Sequence, residues 1–235
     1  MVSHAQGRLV RNLLEDLKGC NAVAFRVVLT MNIPEELPFD AAAFPFPVHV
    51  QRNAAPRGFG ANHNAAFAHC AERFFCVLNP DIRLPLDPFP ALLARLENPA
   101  IAAAAPLIRN PAGDIEDHAR PFPTFSLLLR KLVEKQNLRP PAGEPFRPDW
   151  IAGMFMLFRR DAFAAAGGFD EGYFMYYEDV DLCARLRAAG MRVEVNPAAG
   201  AVHDARRASR RSPRHMLWHA SSIARFLARR WMRKT

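Results

Sequence analysis

The chain has 235 residues, half of them hydrophobic, which is long enough and apolar enough for one α/β domain with a buried core. Its formal net charge of +8 and sequence pI of about 9.9 predict anionic partners. We expect a cytoplasmic protein without a membrane-spanning helix, because the sequence has no long apolar run, no signal-peptide core, and four cysteines without CxxC or metal-binding spacing.

The first elements are predicted as helix, strand, strand. Leucines at helical spacing predict an amphipathic helix over residues 6–18, and short apolar runs predict strands over 22–29 and 46–50. An α/β sheet normally starts with a strand that feeds the first helix. Only residues 1–3 occupy that position, so we expect a truncated first strand, at most a stub.

A glycine- and asparagine-rich stretch, RNAAPRGFGANHNAAF, covers residues 52–67. Gly58 and Gly60 permit close approach of a ligand to the backbone. Asn62 and Asn64 are suited either to cap the next helix or to bind a polar ligand. The alternative is an ordinary loop with a helix cap, since glycine and asparagine are common loop residues.

An apolar strand predicted over 73–78 ends at Asn79-Pro80-Asp81. In open α/β sheets, ligands bind at the carboxyl ends of strands. Asn79 and Asp81 both offer oxygen atoms, which suit a hard cation such as Mg²⁺. The alternative is a plain Pro-Asp turn.

The rest of the chain continues to alternate strands and helices. We predict helices over 89–96, 124–135, 161–166 and 178–189, strands over 101–106, 150–158 and 191–195, an extended piece at 201–203, a hairpin turn at 111–114 with 115–120 pairing back, and a loop over 136–149.

The helix at 178–189 begins with three acids, Glu178, Asp179 and Asp181. Helical spacing puts Asp179 on the inward apolar face, where a carboxylate is costly unless it is paired or used. Asp181 is predicted to point outward and to pair with Arg185. The alternative is that these acids simply complement the helix dipole.

The tail after Asp204 carries nine arginines, one lysine and no acidic residue, with apolar residues interleaved at helical spacing. Such a basic amphipathic helix is typical of segments that lie on anionic membrane surfaces. A helix that is docked on the domain and has one solvated face is the alternative.

Five segments together resemble glycosyltransferase family 2, and most closely its bacterial rhamnosyltransferase-like members: RGFGANHNAAF, LNPD, WIAGMFMLFRRDAF, GGFDEGYFMYYEDVDLCARL and AVHDARRAS. The resemblance implies a GT-A fold over 1–204, a Rossmann-like, mostly parallel sheet flanked by helices, followed by a basic amphipathic helix over 205–235. It implies inverting transfer of a sugar, L-rhamnose being one candidate, from a nucleotide-sugar to a hydroxyl in cell-surface polysaccharide or glycolipid synthesis.

The resemblance also assigns roles to single residues. Asn79-Pro80-Asp81 is similar to the family's metal-binding Asp-x-Asp element, with Asp81 and His203 as ligands of Mg²⁺ or Mn²⁺. Asp179, beside Glu178, is the implied catalytic base. The nucleotide-sugar is expected at Ser3, Asn32, Arg57, Gly58, Asn64, Asn79 and Asp81. The acceptor is expected at Trp150, Gly153 and Tyr177, although aromatic residues are also ordinary core residues.

The expected partners are a dTDP- or UDP-sugar donor, a glycan or lipid-linked acceptor, and an anionic surface on the inner face of the membrane. Nucleic-acid binding is not expected, because the basic residues concentrate in the tail and no known nucleic-acid module is present. Family members normally begin with a full strand, and the loop after it binds the nucleobase, so the short start predicts a nucleobase pocket open on that side. The alternative is a catalytically impaired relative, truncated at its N-terminus, that acts as a binding partner.

Overall fold

The computed structural model describes residues 1–123, 143–204 and 213–232. The helices are α1 (Gly7–Leu17), α2 (Phe59–Phe67), α3 (Phe89–Leu96), α4 (Arg160–Ala165), α5 (Glu178–Ala188) and α6 (Pro213–Met232). The strands are β1 (Val2–Ser3), β2 (Val27–Met31), β3 (Val48–Arg52), β4 (Phe74–Leu78), β5 (Ile82–Arg83), β6 (Ile101–Arg109), β7 (Ala119–Arg120), β8 (Trp150–Ile151), β9 (Phe155–Arg159) and β10 (Arg192–His203).

The helices predicted at 6–18, 89–96, 161–166 and 178–189 are confirmed to within one residue at each end. Apolar spacing explains this agreement, since α1 buries the leucines and the valine of one face and exposes its charged residues. The helix predicted at 124–135 and most of the loop predicted at 136–149 lie outside the described residues.

Two sheets form the framework. Strands β1, β2 and β3 make a parallel sheet in that order. A second sheet has the order β4-β9-β6-β10-β5, in which β6 and β10 run parallel and the other neighbours run antiparallel. Strands β7 and β8 form a separate antiparallel pair. The α/β architecture is therefore as predicted, divided into a parallel part and a mixed part.

Helices pack on the sheets, and the side chains between them form two apolar clusters. The first contains side chains from α1, β2 and α3, including Leu13, Leu29 and Leu92. The second contains side chains from α4, α5 and α6, including Phe163 and Phe226. Burial on both sides explains why β2, β4, β6 and β9 read as largely apolar runs and not as alternating ones.

The first strand is a stub, as predicted. The two residues of β1 pair in parallel with Thr30 and Met31 of β2. Next to them, residues of β2 and β4 line an apolar cavity of about 320 Å³. Met1 also lines this cavity, and its buried α-amino group donates a hydrogen bond of 2.8 Å to the Val28 carbonyl.

Two strand predictions are corrected. The run at 150–158 is two strands, because the peptide groups between β8 and β9 bond outside the sheet; the Gly153 N–H, for example, donates to the Asp179 carboxylate. The pieces predicted at 191–195 and 201–203 are one strand, β10, with a register shift between Asn196 and Gly200. Pro197 lies in that shift and has no N–H to donate to a ladder.

Candidate active site

Asp81 and His203, which were predicted to share a metal ion, lie in contact. Asp81 follows β4, and the pairing of β10 with β5 sets His203 opposite Ile82. The His203 Nε2 atom is 3.3 Å from Asp81 Oδ2. Burial lowers the pKa of His203, but the hydrogen bond and the negative charge of Asp81 outweigh burial, so this pKa is raised overall.

Both side chains keep one buried atom unused. Asp81 Oδ1 and His203 Nδ1 are shielded from solvent and have no hydrogen-bond partner among the described residues. Buried polar atoms are nearly always paired, so such atoms suit a bound ligand. In the same parts of the chain, no group of three or more His, Cys, Asp or Glu side chains is placed to hold a metal ion by itself.

Asp179 is the second residue of α5, and backbone donors fix its carboxylate. The Gly153 N–H donates to Oδ2 at 2.9 Å, and the Val180 N–H donates to Oδ1 at 2.8 Å. Burial raises the pKa of Asp179, and these backbone donors offset part of the rise. A carboxylate with a raised pKa and a fixed orientation is suited to accept a proton.

Glu178 is buried beside Asp179, with only 5% of its surface exposed. Its Oε2 atom has no hydrogen-bond partner within the described chain. Burial, followed by the negative charge of Asp179, raises the pKa of Glu178 well above its usual range. The raised pKa favours the protonated form of Glu178, while the two backbone donors favour the ionised form of Asp179.

The loop between β8 and β9 connects the two parts of the site. Gly153 donates to Asp179, and the carbonyl of the next residue, Met154, accepts the Asn79 N–H at 2.9 Å. Gly153 has little room for a side chain, because a Cβ there would lie 3.0 Å from an aromatic ring. Two adjacent residues, Gly153 and Met154, thus link the helix-start acid Asp179 to the strand-end segment that carries Asp81.

The prediction for Asp181 is wrong in one respect. Asp181 forms the expected pair with Arg185, with Nε to Oδ2 at 2.7 Å, but it is buried, with 1% of its surface exposed. The pair turns inward because Arg185 also donates to the carbonyl of Ala166, next to α4. Asp181 is therefore a structural residue of α5.

A network of amide side chains organises the loop before α2. Asn53 donates to Asn32 Oδ1 at 2.9 Å and to Asn62 Oδ1 at 2.6 Å. Asn32 accepts the Arg57 N–H at 2.8 Å, and the Asn32 and Asn62 side chains donate to the Arg57 carbonyl at 3.0 and 3.1 Å. The structure therefore brings Asn32 and Arg57 together. Asn53 was missed, because a single asparagine after a strand gives no local signal.

Two residues predicted to bind the donor have side chains engaged within the protein. The Ser3 hydroxyl donates to Glu35, which also accepts two backbone N–H groups near the start of α1, each at 3.1 Å. Asn64 lies inside α2 and does not cap it; its amide donates to the Phe169 carbonyl at 2.8 Å and accepts the Phe169 N–H at 2.9 Å. Both side chains hold loops in place, and their donor role stays a prediction.

The remaining predicted residues lie around the start of α5. The Trp150 Nε1–H donates to a backbone carbonyl at 3.1 Å. Tyr177 has a left-handed φ of 68° directly before α5, and its ring centroid is 5.7 Å from that of Phe226 in α6. Gly58 allows α2 to approach this region closely, because a Cβ there would lie 2.6 Å from the carbonyl oxygen of Phe174.

The sequence is similar to known sugar-transferring proteins. Residues 34–167 match the model of glycosyl transferase family 2, and residues 140–208 match the N-terminal domain of galactosyltransferase. The rhamnosyltransferase WbbL of Escherichia coli K12 is 35% identical over 187 residues, which cover 74% of this chain and 71% of that protein. The N-acetylglucosaminyl-diphospho-decaprenol L-rhamnosyltransferase of Mycobacterium tuberculosis is 30% identical, with 97% of this chain and 83% of that protein covered.

Solved structures share the fold at low sequence identity. The mannosyltransferase PcManGT of Pyrobaculum calidifontis, in complex with GDP-Man and Mn²⁺, matches with a TM-score of 0.63 at 16% identity, covering 95% of this chain and 62% of that one. GalNAc-T7 with UDP, GalNAc and Mn²⁺ matches with a TM-score of 0.60 at 16% identity, covering 77% of this chain and 38% of that one. Among residues 1–123, 143–204 and 213–232, no helix is both long and apolar enough to cross a membrane.

Proposed function

The chain belongs to glycosyltransferase family 2 and has the GT-A fold, and from this premise we propose that it is an inverting, metal-dependent enzyme that transfers a sugar from a nucleotide-sugar to a hydroxyl acceptor. The names of the two relatives support L-rhamnose as the sugar. The name of the mycobacterial relative supports an acceptor sugar carried on a polyprenyl diphosphate, within the synthesis of a cell-surface glycan.

The observation that carries the proposal is the placement of Asp179. Its carboxylate is held by the Gly153 N–H, while the carbonyl of the next residue, Met154, accepts the N–H of Asn79 in the segment that carries Asp81. Asp179 as a base, and Asp81 with His203 as candidate metal ligands, are thus connected through one short loop. This arrangement is suited to a displacement in which an acceptor hydroxyl attacks and a diphosphate leaves.

The reaction follows from these positions. The acceptor oxygen forms a bond to the anomeric carbon as the bond from that carbon to the diphosphate oxygen breaks, and the diphosphate leaves with the electron pair. Asp179 takes the proton of the acceptor hydroxyl, a contribution of roughly 10²–10⁴-fold. Because the attack is a single displacement from the opposite side, the anomeric configuration inverts. The backbone donors to Asp179 favour its ionised form, which is the form that accepts a proton.

Asp81 and His203 fit a divalent cation. They are in contact, and each has a buried ligand atom without a partner in the described chain. Mg²⁺ is usually held by one or two protein ligands together with substrate phosphates and water, so two side chains are sufficient. Bound there, Mg²⁺ or Mn²⁺ would neutralise the charge that develops on the departing diphosphate.

We assign the donor to the loop before α2 and to the segment that follows β4. The Asn32–Asn53–Asn62 network fixes the loop of Arg57, whose guanidinium reaches Glu171 at 3.5 Å and is half exposed. An exposed guanidinium on a fixed loop is suited to a diphosphate. We assign the nucleotide diphosphate, dTDP or UDP, to this loop and to Asn79 and Asp81.

The test is sugar transfer by the wild type and by Asp179→Asn, with dTDP-L-rhamnose as donor and a synthetic N-acetylglucosaminyl-diphospho-polyprenol as acceptor. Asn is nearly isosteric, so we expect donor binding to remain and transfer to fall by about 10²-fold or more. Asp161→Asn is the matched control, because Asp161 is also an acid in the first turn of a helix but is exposed. Equal rates for wild type and Asp179→Asn would reduce Asp179 to a helix-start residue.

The alternative function is that of a catalytically impaired relative that acts as a binding partner. Calorimetric titration with dTDP and UDP, with and without Mn²⁺, distinguishes the two. Binding that Mn²⁺ strengthens supports the enzyme, and no binding of either nucleotide supports the impaired relative.

A further inference from the structure

Helix α6 is fixed to the rest of the protein along one face. Ser222 and Phe226 are buried, and the Ser222 hydroxyl donates to the Met175 carbonyl at 2.9 Å. Arg225 pairs with Asp170 at 3.1 Å, and Arg229 pairs with the same carboxylate. This face therefore agrees with the alternative drawn from the sequence, a helix docked on the domain. Arg225 and Arg229 contribute to that docking.

The opposite face of α6 is mostly apolar, and no other residue of the described ranges covers it. Met216 is 68% exposed and Leu217 is 71% exposed, unusual values for large apolar side chains. The other exposed residues of this outer face are mainly small: Ala220, Ser221, Ala224 and Ala228. No acidic residue lies anywhere in residues 205–235, and arginines stand on both sides of this apolar run in the sequence.

We propose that the outer face of α6 docks on an anionic lipid bilayer, with Met216 and Leu217 entering the interface and the exposed Arg214, less than one helical turn before Leu217, meeting the headgroups. Apolar side chains between basic clusters are suited to a surface that is both anionic and apolar beneath. A second copy of the chain would bring one basic helix against another, which like charges disfavour. The phosphates of a nucleic acid would pair with the arginines, but the apolar side chains would have no apolar partner.

The surface adjoins the candidate active site. The Phe174 ring centroid is 4.7 Å from that of Trp218 in α6, and the Tyr176 hydroxyl is 2.8 Å from His215 Nδ1. These contacts attach α6 to the segment that leads directly into Glu178 and Asp179. If the proposed transfer is correct, a lipid-linked acceptor would reach Asp179 from the bilayer on which α6 lies.

The test is flotation of the full chain with vesicles of phosphatidylcholine alone and of phosphatidylcholine mixed with phosphatidylglycerol. We expect binding to the mixed vesicles only, and its loss at high salt, because exposed charges are screened. Leu217→Glu should weaken binding about tenfold or more, since it removes an apolar insertion and adds a like charge to the lipid. Leu86→Glu is the matched control, because Leu86 is 80% exposed in the segment between β5 and α3.

Several results would overturn the proposal: no flotation of the wild type, or equal weakening by Leu86→Glu and Leu217→Glu. If sedimentation shows a dimer that Leu217→Glu dissociates, the face binds a second copy of the chain. If the protein does not float with vesicles but is retained on duplex DNA, and Leu217→Glu leaves that retention unchanged, the basic tail binds nucleic acid. Met216→Glu repeats the test at a second exposed position. Flotation needs neither donor nor transfer, so failure of the proposed reaction would leave this result standing.

Discussion

At the scale of single residues, Asp81 allows the metal site to be tested by binding alone. Its side chain is 20% exposed at the end of β4, so Asp81→Ala should leave the fold intact. We expect the variant to lose the Mn²⁺-dependent part of its dTDP or UDP affinity, as measured by calorimetry. Asp114→Ala, at an exposed turn, is the control. A folded Asp81→Ala protein with unchanged Mn²⁺-dependent affinity would remove Asp81 from the site.

Glu178 makes a prediction about stability and pH. The pKa of Glu178 is raised in the fold, so between its unfolded and folded pKa values the native state holds more protons than the unfolded state. Stability from this group therefore falls as pH rises through that window, by up to about 1.4 kcal/mol per pH unit. Glu178→Gln imitates the protonated acid and removes this loss.

We expect urea unfolding to give equal free energies for wild type and Glu178→Gln near pH 4, below the raised pKa, and a more stable variant as pH rises above about 5. The difference between the two proteins cancels the titration of groups that do not interact with Glu178, so it reports on Glu178 together with its neighbour Asp179. A constant difference across this range would mean that Glu178 ionises normally in the fold.

At the scale of elements, the turn before α5 is strained and is held from two sides. Tyr176 and Tyr177 have φ values of 71° and 68°, a conformation that costs of order 1–3 kcal/mol for a residue other than glycine. Helix α6 holds this turn through His215, and the start of α2 holds it through the Phe59 N–H, which donates to the Phe174 carbonyl at 2.9 Å. Strain that the surroundings maintain beside Asp179 points to a positioning role for α6.

Tyr176→Phe tests this role, since it removes the hydrogen bond to His215 and keeps the ring. We expect kcat for sugar transfer to fall by up to about tenfold, the cost of one hydrogen bond, with little change in donor KM. Met216→Ala, on the exposed face of the same helix, should leave kcat and donor KM unchanged when the acceptor is solubilised in detergent. Unchanged kcat in Tyr176→Phe would show that the turn keeps Asp179 in place without α6.

The cavity between β2 and β4 is the other element that makes a prediction. Burial lowers the pKa of the Met1 α-amino group to about 6, so a group that prefers charge lies among apolar side chains. We predict that about six apolar residues joined ahead of Met1, roughly one strand, would raise both Tm and donor affinity. The same length of sequence with alternating prolines is the control, because proline cannot pair in a ladder. Equal Tm values for both extended proteins would mean that the cavity does not accept a strand.

Across the whole molecule, the apolar spacing of the sequence predicted the helices and strands that form from local interactions. The leucine spacing of α1 and the apolar run of β4 specify those elements by themselves, and the acidic start of α5 identifies a helix terminus. The predicted order of helices and strands therefore follows from patterns within about ten to twenty residues.

Contacts between distant segments were not predictable in this way. Helical spacing predicted that Asp181 and its partner Arg185 point outward, yet Arg185 donates to a carbonyl next to α4 and the pair faces inward. The break between β8 and β9 depends on Asp179, which is 26 residues away in the sequence. The motifs predicted which residues form the candidate site, while the hydrogen bonds that orient these residues come from tertiary packing.

The anomeric configuration of the product tests the proposed single displacement most directly. A single turnover with dTDP-L-rhamnose and the polyprenyl diphosphate acceptor, analysed by NMR of the new glycosidic bond, reports both transfer and stereochemistry. A single displacement with Asp179 as base predicts a product with the configuration opposite to that of the donor. A product that retains the donor configuration, or the absence of transfer from dTDP- and UDP-sugars in Mn²⁺, would contradict the proposed mechanism.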